Sequence, residues 1–281
     1  MSKRGIISLA VLVVAAAGAA RSEPAPTDRQ SRAAEMEQLP GLYRVASQGG
    51  LCSNVFLLLT PEPVLIDPGS RPCWDQLVNN LALLGVKISD LRWVLGTHGH
   101  WDHVDNMARL QRENPKARFA LHAGDAQFVI NNDRVFSCAE PLYHGVASDP
   151  IRVDRLLLDG DRITVGRNTF RVVHTPGHTP GSVVFVTRIA GRNVGFCGDS
   201  VTGYYSMTNR SGVIDWEQSM RRLLAEDFDL LFTGHDKRPV EGKEKIAAYL
   251  NRSLAAATAK RKALAREEQY QDLVYAMEHG G

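Results

Sequence analysis

The sequence predicts an α/β fold, on three observations. Short apolar stretches with β-strand character alternate along the chain with helical stretches. Of the 281 residues, 44% are hydrophobic and 23% are charged, which is typical of a globular protein and excludes a disordered chain. No linker rich in Pro, Gly or Ser divides the chain. We therefore expect a single domain over residues 39–281, with a C-terminal helical extension from about residue 240.

Residues 1–20 have the three parts of a secretory signal peptide. Lys3 and Arg4 form a basic start, and the apolar run that follows ends in small residues. The run is shorter than the about 20 apolar residues of a membrane-spanning helix, although an uncleaved anchor and a buried helix are alternatives. Residues 21–38 are polar and are predicted to be a flexible lead-in. We expect a periplasmic or secreted protein with no stable membrane anchor after cleavage.

The charge balance argues against a nucleic-acid partner. The chain has 33 basic and 31 acidic residues, hence a net charge of +2. Cleavage after Ala20 would remove Lys3 and Arg4 and no acidic residue, so the mature chain would carry no net charge. Nucleic-acid binding usually requires a strongly basic surface. What remains by composition is an enzyme or a binding protein.

Hydrophobic spacing assigns the elements of the first half. The helix over Cys73–Leu84 places its apolar residues at three- and four-residue intervals, and Gly85 ends it. The strands are short runs rich in β-branched and aromatic residues. In chain order the predictions are strands at Tyr43–Ala46, Asn54–Thr60, Val64–Asp67 and Leu91–Leu95, then a helix at Val104–Glu113, a strand at Arg118–Leu121 and a helix at Gly124–Ile130.

The second half continues the alternation after a long irregular stretch. Residues 131–154 show no period and contain two Pro, so we expect a functional loop or lid. The elements that follow are predicted as strands at Arg155–Leu158, Asp161–Val165, Phe170–His174, Val183–Thr187 and Asn193–Cys197, a helix at Asp215–Ala225, a strand at Leu230–Thr233 and a long helical region from Val240.

The four cysteines allow three pairings in an oxidising compartment. The turn at residues 60–63 would pair two strands so that the numbers of opposed residues sum to about 123. Cys52 and Cys73 nearly satisfy that sum, which suggests a Cys52–Cys73 disulfide. Buried free thiols are the alternative.

The strongest chemical signal is the run Thr97–His103, which follows the apolar strand at Leu91–Leu95. It reads THGHWDH and holds three histidines and one aspartate. Imidazole nitrogen and carboxylate oxygen are the ligands of catalytic zinc, and of iron or manganese without haem. We expect this run to bind metal through His98, His100, Asp102 and His103.

Three further stretches carry the same kinds of residue. In HTPGHTPGS, two Pro and two Gly make a rigid turn that favours His178 as a ligand, whereas His174 is predicted to support the site or pack in the core. FCGDS and FTGH each follow an apolar strand and contain Asp199 and His235. An early strand ends at Asp67, for which capping a turn is the alternative role.

Taken in order, HGHWDH, GHTPGS, FCGDS and FTGH resemble the metallo-β-lactamase-fold hydrolase superfamily over about residues 39–245. The resemblance implies a four-layer αββα sandwich with metals at one edge between the sheets. It implies that His98, His100 and His178 bind one divalent ion and Asp102, His103 and His235 a second. Asp199 matches the bridging carboxylate and Asp67 an aspartate behind the ligands. Many members carry Gly-Gly where this chain has Asp105-Asn106, which leaves the subfamily open.

The resemblance also implies a small-molecule substrate and the mechanism of its hydrolysis. Two ions about 3.5–4 Å apart would share a hydroxide that Asp102 orients towards a carbonyl of lactone, ester or β-lactam type. Zinc fits these ligands, and iron and manganese remain open. Phosphodiester or thioester hydrolysis is an alternative, and so is oxidation of sulfur compounds by a single iron. Residues that support the metals or touch the substrate are proposed to include Trp101, Ser200, Tyr204, Tyr205, Tyr143 and His144.

Overall fold

The computed structural model describes residues 28–47, 49–133, 136, 149–202 and 210–279. It contains two β-sheets. The first has seven strands in sequential order: β1 (Glu37–Leu39), β2 (Leu42–Ala46), β3 (Val55–Leu58), β4 (Val64–Ile66), β5 (Trp93–Leu95), β6 (Arg118–His122) and β7 (Arg155–Leu157). The second has six, in the order β13 (Val240–Glu241), β12 (Leu230–Phe232), β11 (Arg192–Phe196), β10 (Val183–Ile189), β9 (Asn168–His174) and β8 (Arg162–Val165).

Seven α-helices lie among the described residues. They are α1 (Asp28–Met36), α2 (Trp74–Leu83), α3 (Trp101–Val104), α4 (Asn106–Glu113), α5 (Ala123–Ile130), α6 (Arg210–Leu224) and α7 (Lys243–His279). None of these described helices is both long and apolar enough to cross a membrane.

The apolar side chains form three layers of core, which confirms the predicted αββα sandwich. Strand β3 contributes to two of these layers, because alternate side chains of a strand point to opposite faces. Leu57 joins the cluster beneath α2 and α4, whereas Phe56 packs between the two sheets. There its ring lies 5.4 Å from that of Phe196 and 5.0 Å from that of Phe232. A third cluster fills the space between the second sheet and helices α6 and α7.

Some of the elements are not predicted by local sequence. In the described part of the predicted lead-in, residues 28–36 form α1 and residues 37–39 form β1. Strand β1 exists because it pairs with β2, with Glu37 opposite Tyr43, a contact that local sequence does not reveal. In the run that is predicted to bind metal, Asp102 and His103 lie in the short helix α3, which has no periodic sequence signal.

Candidate metal centre

The predicted site residues follow the carboxyl ends of strands from both sheets. Strands β4 and β5 are parallel and lead to Asp67 and to the run 97–103. In the other sheet, β11 and β12 are parallel and lead to Asp199 and His235. Strand ends of parallel neighbours meet at one edge of a sheet, so residues far apart in sequence come together there. The loop after β9 supplies His178 at the same edge.

Backbone hydrogen bonds hold the two sheets together at this edge. Val183 N donates to Thr97 O at 2.9 Å, and Asn54 N, just before β3, donates to Gly234 O at 2.6 Å. Gly234 must lack a side chain, because a Cβ atom there would lie 2.2 Å from Asp199 Oδ1 and 2.7 Å from the ring of His103. The glycine of FTGH is thus required by the close approach of two site residues.

Three histidine nitrogens converge on one point. His98 Nε2 and His178 Nε2 each lie 3.0 Å from His100 Nδ1. All three rings are buried, and burial lowers the pKa of each histidine, that of His178 to about 4. The rings are therefore neutral at pH 7. Neutral imidazole is the form that binds a metal, so this trio has the donor chemistry of a metal position.

A second group of donor atoms adjoins the first. His235 Nε2 lies 3.2 Å from Asp102 Oδ2 and 3.3 Å from Asp199 Oδ2. His103 Nε2 lies 3.6 Å from both Asp102 Oδ2 and Asp199 Oδ1. The donor atoms form three overlapping sets, and within each set they lie within 4.8 Å of one another. The first set is His98, His100 and His178, the second group described here contains Asp102, His103 and His235, and the set of His98, His103 and Asp199 connects the two.

The carboxylates of the second group are balanced by positive charge on the neighbouring histidines. Burial lowers the pKa of His103 and of His235, but the neighbouring carboxylates outweigh it, and the pKa of His235 rises to about 10. Burial raises the pKa of Asp199, yet the His103 charge holds it well below its usual range. Among protein groups alone, protons on two histidines balance the carboxylates. A divalent cation would supply the same positive charge.

The donor atoms also fit a metal geometrically. His103 Nε2 and Asp199 Oδ1 are buried and make no hydrogen bond among the described residues. Buried polar atoms are usually hydrogen-bonded, so atoms left without a partner need an explanation. Nitrogen and carboxylate oxygen at these separations are the donor set of zinc, which binds nitrogen at about 2.0–2.1 Å.

Asp67 lies behind the predicted ligands. Its Oδ2 atom lies 2.9 Å from His103 Nδ1 and accepts a hydrogen bond from Thr97 Oγ1 at 2.8 Å. Its Oδ1 atom accepts from Thr97 N at 2.7 Å. A carboxylate on the far nitrogen of a ligand histidine fixes the tautomer and the ring orientation. The structure therefore places Asp67 against the far nitrogen of His103, and its supporting role stays a prediction.

The remaining predicted residues have varied positions. Ser200 is buried, with its Oγ 2.8 Å from Thr175 Oγ1, so it braces the turn before His178. Trp101 is only 2% exposed, which favours packing over substrate stacking. His174 stays out of the donor groups and donates from Nε2 to Pro180 O at 2.8 Å. The other four predictions, which fall on Tyr143, His144, Tyr204 and Tyr205, lie outside the described residues.

One buried acid beside the site was not predicted from the sequence. Asp125 in helix α5 accepts hydrogen bonds from Gly99 N, Gly181 N and Thr179 Oγ1. A lone aspartate near the start of a short helix gives no signal in one sequence, because capping explains it equally well.

Comparison with known proteins agrees with this geometry. The family model of the metallo-beta-lactamase superfamily matches residues 49–235 of the chain. That stretch contains every residue of the donor groups described above.

Three curated relatives match parts of the chain. A probable metallo-hydrolase of Burkholderia pseudomallei is 34% identical over 113 residues, 40% of this chain and 35% of the relative. Glyoxylase B2 of Dictyostelium discoideum is 30% identical over 53% of this chain and 51% of its own length. Hydroxyacylglutathione hydrolase of Pseudoalteromonas translucida is 30% identical over 49% and 40%. The chain therefore spans about a third to a half of these curated relatives.

Solved structures match more completely. A mutant metallo-beta-lactamase from Cronobacter sakazakii has a TM-score of 0.70 and 25% identity, over 82% of this chain and 97% of that chain. A subclass B3 metallo-beta-lactamase of Bradyrhizobium japonicum has a TM-score of 0.67 at 23% identity, over 84% and 95%. The second likeness is evidence of a shared fold only.

Proposed function

The chain belongs to the metallo-beta-lactamase superfamily, and from this premise we propose that it is a metal-dependent hydrolase of carbonyl substrates of the lactone, ester or β-lactam type. The observation that carries the proposal is the pair of adjoining donor groups, one of three histidines and one of Asp102, His103 and His235. Asp199 stands between them, with Oδ2 3.8 Å from His178 Nε2 and 3.3 Å from His235 Nε2.

In this proposal each donor group holds one divalent ion, with zinc favoured by the donor set over iron or manganese. The chemistry that a divalent ion would supply there is a lower pKa of bound water, so that a nucleophile would be available at neutral pH without a Ser or Cys side chain. The protein's part is to orient the groups. Asp67 fixes His103, and the carboxyl groups of Asp102 and Asp199 lie beside His235.

A panel of substrates tests the reaction class. Purified protein loaded with zinc would be assayed against a chromogenic β-lactam, a lactone, an aryl ester, a thioester and a bis-aryl phosphate. We expect turnover of at least one of the first three. Thioester cleavage is the second candidate, supported by the relative named hydroxyacylglutathione hydrolase. Turnover of the phosphate alone would overturn the carbonyl proposal.

Metal analysis tests the two positions. We expect two zinc ions per chain. One iron per chain with oxygen uptake and no hydrolysis would instead favour the sulfur-oxidising alternative, which needs one metal position. The second donor group, with Asp102 and His235 3.2 Å apart, supports the hydrolase.

Substitution of ligands tests the residues. We expect His100→Ala and Asp102→Ala to lower kcat/KM by more than about 100-fold, the upper end of the loss when only an outer partner of a metal ligand is removed. His174→Ala is the matched control, because this histidine lies outside the donor groups. Full activity in either ligand variant, with folding verified by circular dichroism, would contradict the two-metal proposal.

We also propose that the protein is exported, with cleavage after Ala20. The Cys52–Cys73 disulfide supports this, because disulfides persist mainly in oxidising compartments. N-terminal sequencing of protein from a periplasmic fraction should begin at Arg21. Recovery of the full-length chain only from the cytoplasm would contradict export.

A further inference from the structure

One carboxylate connects the two loops that carry the three histidines. Asp125 is fully buried, and its Oδ2 atom accepts hydrogen bonds from Gly99 N at 2.8 Å and Thr179 Oγ1 at 2.7 Å. Its Oδ1 atom accepts from Gly181 N at 2.6 Å. Gly99 stands between His98 and His100, and Thr179 follows His178 directly. Asp125 is therefore bonded to both ligand loops at once.

The contact between Asp125 and the second loop is as close as packing allows. A Cβ atom on Gly181 would lie 2.5 Å from Asp125 N and 2.6 Å from its carboxylate. Glycine at this place lets the loop approach helix α5 until its N–H reaches the acid. The carboxylate thus fixes how far the loop of His178 lies from the loop of His100.

Stability alone is a poor reason for this acid. No ion pair to Asp125 occurs in the described part of the chain, and burial raises the pKa of its carboxyl to about 6. A buried carboxylate without a cation is costly, even when hydrogen bonds compensate part of the cost. Such a group is more easily explained if it positions the two loops that it joins.

We propose that Asp125 is a positioning residue that sets the metal affinity of the three-histidine group. The inference rests on the proposed function, in which that group holds one ion. The 3.0 Å separation of His178 Nε2 from His100 Nδ1 spans the two loops that Asp125 joins, and the 3.0 Å separation of His98 Nε2 from His100 Nδ1 lies within the loop that Asp125 holds at Gly99. The other donor group is held by different contacts, including Asp67 on His103 and a bond from Ser53 N to Asp102 O. Asp125 therefore acts on one metal position and leaves the other unchanged.

The test compares Asp125→Asn with Asp154→Asn in the whole protein. Asn keeps the shape of the side chain. Its NH2 group replaces one of the two carboxylate oxygens and cannot accept the hydrogen bonds that this oxygen accepts. Asp154 is the control for loss of a carboxylate that accepts from the backbone away from the site: its Oδ2 accepts from Phe119 N at 2.9 Å near the opposite end of strand β6, and its Oδ1 pairs with Arg152 at 2.7 Å. The readouts are the affinities of the two zinc equivalents, by competition with a coloured chelator, and the absorption spectrum with cobalt.

We expect the wild type and Asp154→Asn to bind two zinc ions alike. Asp125→Asn should bind one equivalent as the wild type does and the other about 10- to 100-fold more weakly, with one set of cobalt bands altered. A merely structural role would lower the unfolding midpoint of the metal-free protein in both variants and leave both affinities unchanged. That result would overturn the proposal while the proposed function stands.

A second pair of variants covers the case in which Asp125→Asn does not fold. Thr179→Val removes the hydroxyl donor to Asp125 and should weaken the same zinc equivalent, whereas Thr179→Ser keeps the hydroxyl and should restore it. Equal affinities in Val and Ser variants would reject the inference. A wild type that binds no zinc at all would instead reject the proposed function.

Discussion

Asp105, directly after helix α3, is a buried carboxylate whose charge the folded protein disfavours. Its Oδ2 atom accepts from Arg71 N at 3.2 Å and lies 3.0 Å from Arg71 Nε, while Oδ1 has no hydrogen bond among the described residues. Burial raises the pKa of Asp105 to about 6, although the Arg71 charge lowers it. Ionised Asp105 is therefore less favourable in the folded than in the unfolded chain.

This pKa predicts a pH dependence of stability. Because the folded pKa of about 6 exceeds the usual 3.8, stabilisation by this group is complete below pH 4 and is lost as the pH rises through 6. The loss reaches at most about 1.4 kcal/mol per pH unit. The free energy of unfolding of Asp105→Asn, minus that of the wild type, should therefore increase between pH 4 and 6.

The measurement is urea denaturation of both metal-free proteins at several pH values. Taking the difference between variant and wild type removes the contribution of the buried histidines, which titrate in the same range. A difference that stays constant from pH 4 to 6 would show that burial does not raise this pKa.

At the scale of elements, the Asp105-Asn106 departure has a structural explanation. Asn106 begins helix α4, and its Nδ2 atom donates to Pro68 O at 3.0 Å and Ser70 O at 2.8 Å. It thereby ties the helix to the loop that carries Asp67. A Gly at this position would lack that amide. Asn106, where many family members have Gly, therefore adds two hydrogen bonds behind the predicted ligands.

The predicted disulfide is confirmed, and it joins two segments beside the site. Cys52 bonds to Cys73, which precedes helix α2. Cys52 also precedes Ser53 and Asn54, whose N–H groups donate to Asp102 O at 3.0 Å and Gly234 O at 2.6 Å. The cross-link thus fixes the segment that holds two ligand-bearing loops.

We expect the double variant Cys52→Ser/Cys73→Ser to lose about 3 kcal/mol of unfolding free energy. The cross-link closes a sequence separation of 21 residues, and removing it gives back the entropy of that loop in the unfolded chain. The measurement is urea denaturation with and without reductant. Reductant should lower the wild type to the level of the variant and leave the variant unchanged; equal stabilities without reductant would refute a stabilising role.

At the scale of the molecule, the donor groups join the two sheets. The donor residues after β5 come from the first sheet, and those after β9, β11 and β12 come from the second. A bound ion would therefore connect the halves of the sandwich. Metal that binds only the folded chain stabilises it by about 4 kcal/mol when free metal is a thousand times the dissociation constant.

We accordingly expect a chelator to lower the melting temperature by roughly 10 °C, since a chain of this size shifts by about 2–4 °C per kcal/mol. Thermal unfolding in EDTA and in excess zinc provides the measurement. His174→Ala should show the full shift and His178→Ala a much smaller one. Identical melting curves in EDTA and zinc would mean that metal does not link the sheets.

Much of this architecture could be predicted from local patterns. The strand that ends at Leu95 was recognised by its apolar run, and helix α2 by its three- and four-residue spacing. Strand β1 was missed, because only its pairing with β2 makes three ordinary residues a strand. The start of α3 at Trp101 was missed because the metal-ligand pattern HxHxDH has no helical period of its own.

The sequence by itself determined the donor types and their order, because histidine and aspartate after apolar strands have few other uses. Only the tertiary structure decided which of them meet. The sheets bring His98, His100 and His178 to one point and leave His174 outside it, through contacts between strands far apart in the chain. The same packing placed Asp125 between the ligand loops. A buried hydrogen bond between distant segments leaves no local trace in a single sequence, because its partners are adjacent only after folding.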